Sequence, residues 1–172
     1  ATKAMNTALA AAEAELAYNE VVGKITIILA DNGTYTVSAP IVAPSDLYIS
    51  LPIGSEGVAT IDASGNEGDF ITLNGSTTFA KKADGADSDH YLIDMVGIAG
   101  VKITGLKGAL ITDAQKTLVN GVAIANSVIE MPAAGKNVLN FSGKGYVGKV
   151  KVLNSTIYTK DKNTGFFAQY GS

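Results

Sequence analysis

The sequence predicts an all-β domain of stacked repeating units, closed at its start by a helix, and three observations lead there. The first is recurrence. An aliphatic residue followed by Asn or Asp appears as Leu73-Asn74, Ile93-Asp94, Val119-Asn120 and Leu139-Asn140, with steps of 20, 26 and 20 residues between the polar members. A second register runs beside it in Val101–Gly105, Val122–Asn126 and Val150–Asn154. Periods of this size mean supersecondary units that bury their apolar face only against their neighbours. The second observation is texture: 19 glycines, several in Asn-Gly and Ser-Gly pairs, put turns between short apolar runs. The third is composition. With 47% hydrophobic and 17% charged residues, a chain of 172 residues has enough apolar surface for one buried core.

Residues 3–22 read as a helix. Met5, Leu9, Ala12 and Leu16 follow steps of four, three and four, which draws one apolar stripe, and Gly23 is placed to end it. Its polar side carries Glu13, Glu15 and Glu20 rather than lysine, so the stripe is expected to cover the first unit of the stack and not a membrane. Residues 1–23 are thus a cap and residues 24–172 the stack, together one domain, with room for further domains after Ser172.

The β-branched run Ile25–Leu29 is the first strand, and Thr34–Val37 follows across Asp31-Asn32-Gly33. Taken alone, Asn-Gly between two such runs signals a hairpin; in a stack it is a turn between consecutive walls. Short strands are expected around residues 40–43, 47–51, 58–63, 70–74, 91–96, 101–106, 117–120, 122–130, 137–141, 147–158 and 165–170. Gly75–Asp89 is the least strand-like stretch and reads as an excursion from the repeat. In Val150-Lys151-Val152 the valines point one way and Lys151 the other, and Lys102 takes the matching place in Val101–Gly105, which would set both lysines on one outer wall.

The segment Ile25-Thr-Ile-Ile-Leu-Ala-Asp-Asn-Gly-Thr-Tyr after an amphipathic stretch, with the later units Val101-Lys-Ile-Thr-Gly-Leu, Val122-Ala-Ile-Ala-Asn-Ser and Val150-Lys-Val-Leu-Asn-Ser-Thr-Ile-Tyr, resembles the right-handed parallel β-helix proteins of the pectate-lyase-like superfamily. In style it is closest to exported β-helix proteins of gut bacteria. The resemblance implies a right-handed parallel β-helix solenoid, exported to the periplasm, cell surface or exterior. In such a stack like residues sit on like residues, so Asn126 with Asn154, and Asn74 with Asp94, Asn120 and Asn140, are candidate polar ladders.

Several chemistries are excluded or weakened. The chain has no Cys, hence no disulfide and no thiolate metal site. All 13 basic residues are Lys and the net charge is −3, which argues against nucleic acid, where Arg is the preferred fork. No apolar run reaches the roughly 18–20 residues that span a bilayer. The lyases of the resembled superfamily use Arg or Lys beside calcium. With Arg missing, Lys102 or Lys107 near Asp94 and Asp113 would have to serve. The Asn-Thr-Asp, Asp-Asp, Gly-His-Gly and Arg-Ile-Lys signatures of its hydrolases do not occur, although Asp62 and Asp94 both follow Ile and stacking could bring them to the separation of a carboxylate pair. His90 is the single histidine, and no nucleophile-elbow motif frames a serine for it. Asp84, Asp87 and Asp89 crowd one loop; calcium is the cation such oxygens take, though the spacing is not that of an EF-hand.

Residues 131–172 carry six Lys against one Asp, a net of +5, while residues 1–130 sum to −8. Lys102, Lys144, Lys149, Lys151 and Lys160, with Tyr146 and Tyr158 to stack on sugar rings, are the candidate glycan-binding residues. The expected function is a noncatalytic module that binds polysaccharide, acidic ones included, or serves surface adhesion. The rivals are a polysaccharide lyase or hydrolase, and a self-assembling β-helix that associates end to end.

Overall fold

A computed structural model describes residues 24–74, 79–114, 116–133, 135–142, 145–159 and 164–169. The expected helix over residues 3–22 lies outside them. Among the described residues there is no helix, and the chain is all-β with three predominantly parallel sheets.

The chain visits the three sheets, here A, B and C, in one fixed order. The first pass is β1 (Lys24–Ile28) in A, β2 (Thr34–Thr36) in B and β3 (Ile41–Ala43) in C. The second is β4 (Asp46–Ser50), β5 (Ala59–Asp62) and β6 (Ile71–Leu73). After an excursion that includes β7 (Phe79–Lys81), the third is β8 (Asp87–Ala99), β9 (Val101–Thr104) and β10 (Ile111–Asp113). The fourth is β11 (Thr117–Ala125), β12 (Val128–Met131) and β13 (Leu139–Phe141). The fifth is β14 (Tyr146–Val147) with β15 (Val150–Leu153), then β16 (Thr156–Thr159) and β17 (Phe167–Gln169).

Register explains the apolar pattern. In sheet A, Ile25 aligns with Leu47, Val96, Val122 and Val150, and Ile27 with Ile49, Ile98, Ile124 and Val152. In sheet B the column is Tyr35, Ile61, Ile103, Ile129 and Ile157. In sheet C it is Ile41, Ile71, Ile111, Leu139 and Phe167. Side chains alternate across a strand, so every second residue of each wall enters one shared interior. A fully buried aliphatic side chain there stabilises by about 1.5–3 kcal/mol.

Two expectations need correction. Asn74, Asp94, Asn120 and Asn140 do not form one column: Asp94 and Asn120 stand in sheet A, whereas Asn140 aligns with Thr112 in sheet C and Asn74 follows β6 there. An aliphatic-Asn pair can end a strand in either sheet, so the recurrence counted two columns as one. The excursion also contains strand: β7 pairs antiparallel with the start of β8 around a turn at Gly85, whose φ is +82°. By contrast, Asp31-Asn32-Gly33 turns the chain from sheet A to sheet B and makes no hairpin.

Candidate functional site

The predicted lysine and tyrosine residues are split between two walls. Lys151 aligns with Ala123 on the outer face of sheet A, and Lys149 lies one residue before the Val122–Val150 pair. Tyr146 belongs to the same sheet, half-buried, with its ring 5.2 Å from that of His90. Lys102, however, aligns with Thr60 and Val128 in sheet B. Tyr158 is also in sheet B, where its hydroxyl donates to Glu130 Oε2 at 3.1 Å. Lys102 and Lys151 therefore do not share a wall. The true counterpart of Val150–Leu153 in the third pass is Val96–Ala99, not Val101–Thr104. Both segments alternate equally well, and alternation alone does not say which sheet a strand joins. Lys144 and Lys160 lie outside the described residues.

The acidic loop is dispersed. Asp84 Oδ1 accepts from Ala86 N at 3.0 Å within its own turn, Asp87 pairs with Lys81, and Asp89 pairs with Lys116 and with His90 Nδ1 at 2.9 Å. The Lys116 hydrogen bond holds the Asp89 carboxyl below the ordinary carboxylate value. Among the described residues no three His, Asp or Glu converge as metal ligands. Ser88 Oγ takes the backbone N–H of His90 at 3.0 Å.

The carboxylates and lysines weighed for catalysis are equally scattered. Lys107 pairs with Glu67; Asp94 Oδ1 accepts from Asn120 Nδ2 at 2.6 Å in sheet A; and Asp113 is buried in sheet C in register with Leu73. Asp62 belongs to sheet B, so the chain does not pair it with Asp94.

The concavity that the fold does build lies at the corner between sheets A and B. There the chain leaves sheet A through Gly100 (φ +70°), Asn126 (φ +49°) and Asn154 (φ +46°) in successive passes. This left-handed conformation is what Gly and Asn tolerate best among the residues. Asn154 Nδ2 donates to Asn126 Oδ1 at 2.9 Å, so one of the expected ladders is present. It stops at Gly100, which has no side chain to continue it.

Over this column runs a groove of about 560 Å³, with Ala99 on the sheet A side, Val128 and Thr156 on the sheet B side, and Glu56 in the loop that follows β4. That loop turns at Gly54 (φ +86°), where Ser55 N donates to Pro52 O at 3.1 Å, and carries Ile53 fully into solvent. Gly57 anchors it: a Cβ there would come 2.0 Å from Asp31 Oδ1. Glu56 is the one ionisable residue among those lining the groove. Sequence reading missed the groove because it carried two strands straight through Asn126 and Asn154. The available signal was the Asn-Ser pair at both corners, Asn126-Ser127 and Asn154-Ser155.

No family model, curated protein or solved structure matches this chain.

Proposed function

We propose that the protein is an exported, noncatalytic module of right-handed parallel β-helix architecture that binds a polysaccharide lying along the corner groove. The fixed order of sheets A, B and C over five passes, with parallel pairing throughout the stack, supports the architecture. The observation that carries the function is the groove itself: a concavity lined by residues of the second to fifth passes, with amides, hydroxyls and one carboxylate among them. Concave sites with a few convergent polar groups are where ligands bind. Asn126 and Thr156 are exposed in its lining and Ser55 half-buried there, so the Asn126 amide and the two hydroxyls are offered to sugar hydroxyls.

The groove favours a neutral glycan, since its charge is a carboxylate and the lysines Lys149 and Lys151 stand outside its lining. No aromatic ring lines it, so affinity rests on hydrogen bonds worth about 0.5–1.5 kcal/mol each, and binding is weak per sugar and gains from repetition.

The test is a glycan array followed by titration of neutral and uronic-acid oligosaccharides. Asn126→Gly, which keeps the left-handed corner and deletes the amide, and Glu56→Gln should each weaken a neutral ligand about tenfold. Binding confined to uronans and abolished by Lys149→Gln with Lys151→Gln would move the site to the sheet A wall. Absence of binding to any glycan would end the proposal.

A further inference from the structure

A second concavity stands on the other side of sheet B, at the corner where that sheet hands the chain to sheet C. It is lined by Leu106 and Lys107 after β9 and by Glu130, Met131 and Pro132 at the end of β12. Its volume is about 320 Å³. That is the small end of the roughly 300–1,000 Å³ usual for ligand pockets, room for one compact group and not for a run of sugars. The lining combines three chemistries. Leu106 and Met131 are buried and Pro132 half-buried, which supplies apolar surface. Glu130 supplies a carboxylate: its Oε2 accepts the Tyr158 hydroxyl at 3.1 Å, and a carboxylate has about four lone-pair sites in all. Lys107, paired with Glu67, supplies an ammonium, which only donates.

We infer that this pocket receives the acetamido group of an N-acetylated amino sugar. Such a group carries one N–H, one carbonyl and one methyl. Glu130 accepts from the N–H, Lys107 donates to the carbonyl, and the methyl covers the apolar surface of Leu106, Met131 and Pro132. A hydroxyl in its place is too short to serve donor and acceptor together and leaves the apolar surface to water, and the carboxylate of a uronic acid would meet Glu130. The inference rests on the corner groove as the glycan site and names the sugar. Val128 lines the groove and Glu130 the pocket, two residues apart on one face of β12, about 7 Å along the strand. Thr156 and Tyr158 repeat that relation on β16, in register with them. Neighbouring sugars of one chain therefore reach both concavities. Tyr158, through its hydroxyl, is the positioning residue for the Glu130 carboxylate.

The experiment is calorimetric titration of the 172-residue chain with oligomers of N-acetylglucosamine and of glucose, matched in linkage and length. Expected is a preference of about tenfold or more for the acetylated oligomer, the gain from two added hydrogen bonds. Glu130→Ala should bring the acetylated oligomer down to the affinity of the plain one, and Tyr158→Phe should remove part of the preference. Lys107→Met deletes the donor from the exposed side of the pocket and should do the same as Glu130→Ala, so a poorly folding Glu130 variant does not decide the matter. Equal affinity of the parent protein for the two oligomers overturns this inference and leaves the groove reading standing. So does a preference that survives both Glu130→Ala and Lys107→Met. Failure of both oligomers to bind, with no other glycan bound on the array, overturns it together with the groove reading.

Discussion

Asn154 donates its side-chain N–H to Asn126 Oδ1 across 2.9 Å, and both residues hold a left-handed backbone, with φ of +46° and +49°. The two facts are linked. The corner from sheet A to sheet B needs a positive φ in each of these passes, and Asn supplies it while its amide joins the pass beside it. Asn154→Ala should cost the hydrogen bond, about 1 kcal/mol, and a further 1–2 for a Cβ-bearing residue without Asn's local compensation. Asn154→Gly should lose only the first. Equal destabilisation of the two variants in urea melts would show that the backbone angle contributes nothing.

Gly97 and Gly121 look alike in sequence and should respond differently to Ala. A Cβ at Gly97 would sit 2.8 Å from Cδ1 of Tyr48, a rigid ring that Lys24 covers at 4.4 Å from its centroid. A Cβ at Gly121 would meet the terminal methyl of Met95 at 2.7 Å, and a methionine can turn aside. We expect Gly97→Ala to destabilise by about 1–3 kcal/mol. Gly121→Ala should stay within about 0.5 kcal/mol of the parent, the small clash offset by a stiffer unfolded chain. A reversed order would locate the tight contact elsewhere.

Ile124 and Val152 occupy one column, but only Ile124 is sealed. Ile124→Ala should therefore cost about 2–5 kcal/mol through lost transfer energy and a residual cavity. Val152→Ala should cost about 1 kcal/mol or less, because that side chain is 40% exposed. A large loss at Val152 would mean that its side chain is covered in solution.

Acid should loosen the molecule at identifiable places. Asp62 Oδ1 accepts the backbone N–H of Ser64 at 2.9 Å, and chiefly that bond lowers its pKa from the ordinary 3.8. Asp89 is lowered too, first by its hydrogen bond from Lys116. A carboxyl whose folded pKa is depressed binds fewer protons folded than unfolded. Its stabilisation is complete above the unfolded value and is lost as pH falls through the folded one. The melting temperature should be flat near neutrality and fall below about pH 4. Asp62→Asn, which keeps an acceptor for Ser64 but does not titrate, should make that fall shallower. An unchanged acid slope would remove Asp62 from the account.

Much of the wall pattern was legible beforehand because side-chain alternation has a period of two wherever a strand has one buried face. Ile25–Leu29, residues 58–63 and residues 137–141 were each close to a strand of the structure, and the Asn126–Asn154 bond followed from like stacking on like. The groove was not legible. It depends on Asn126 and Asn154 leaving the strand conformation in the middle of apolar runs, and on a loop from the second pass reaching the same corner as residues of the fourth and fifth. No local pattern encodes that meeting.

The sequence by itself determined the all-β character of the described residues and much of which residue faces inward, since these depend on the polarity of near neighbours along the chain. Only the tertiary structure decided which wall each strand joins. Val101–Thr104 and Val150–Leu153 share one alternation yet pair in sheets B and A, and Lys102 parts from Lys151 for that reason. Alternation fixes the face of a residue; the partner strand is fixed by the turns between, where a left-handed residue such as Gly100 or Asn126 sends the chain to the next wall.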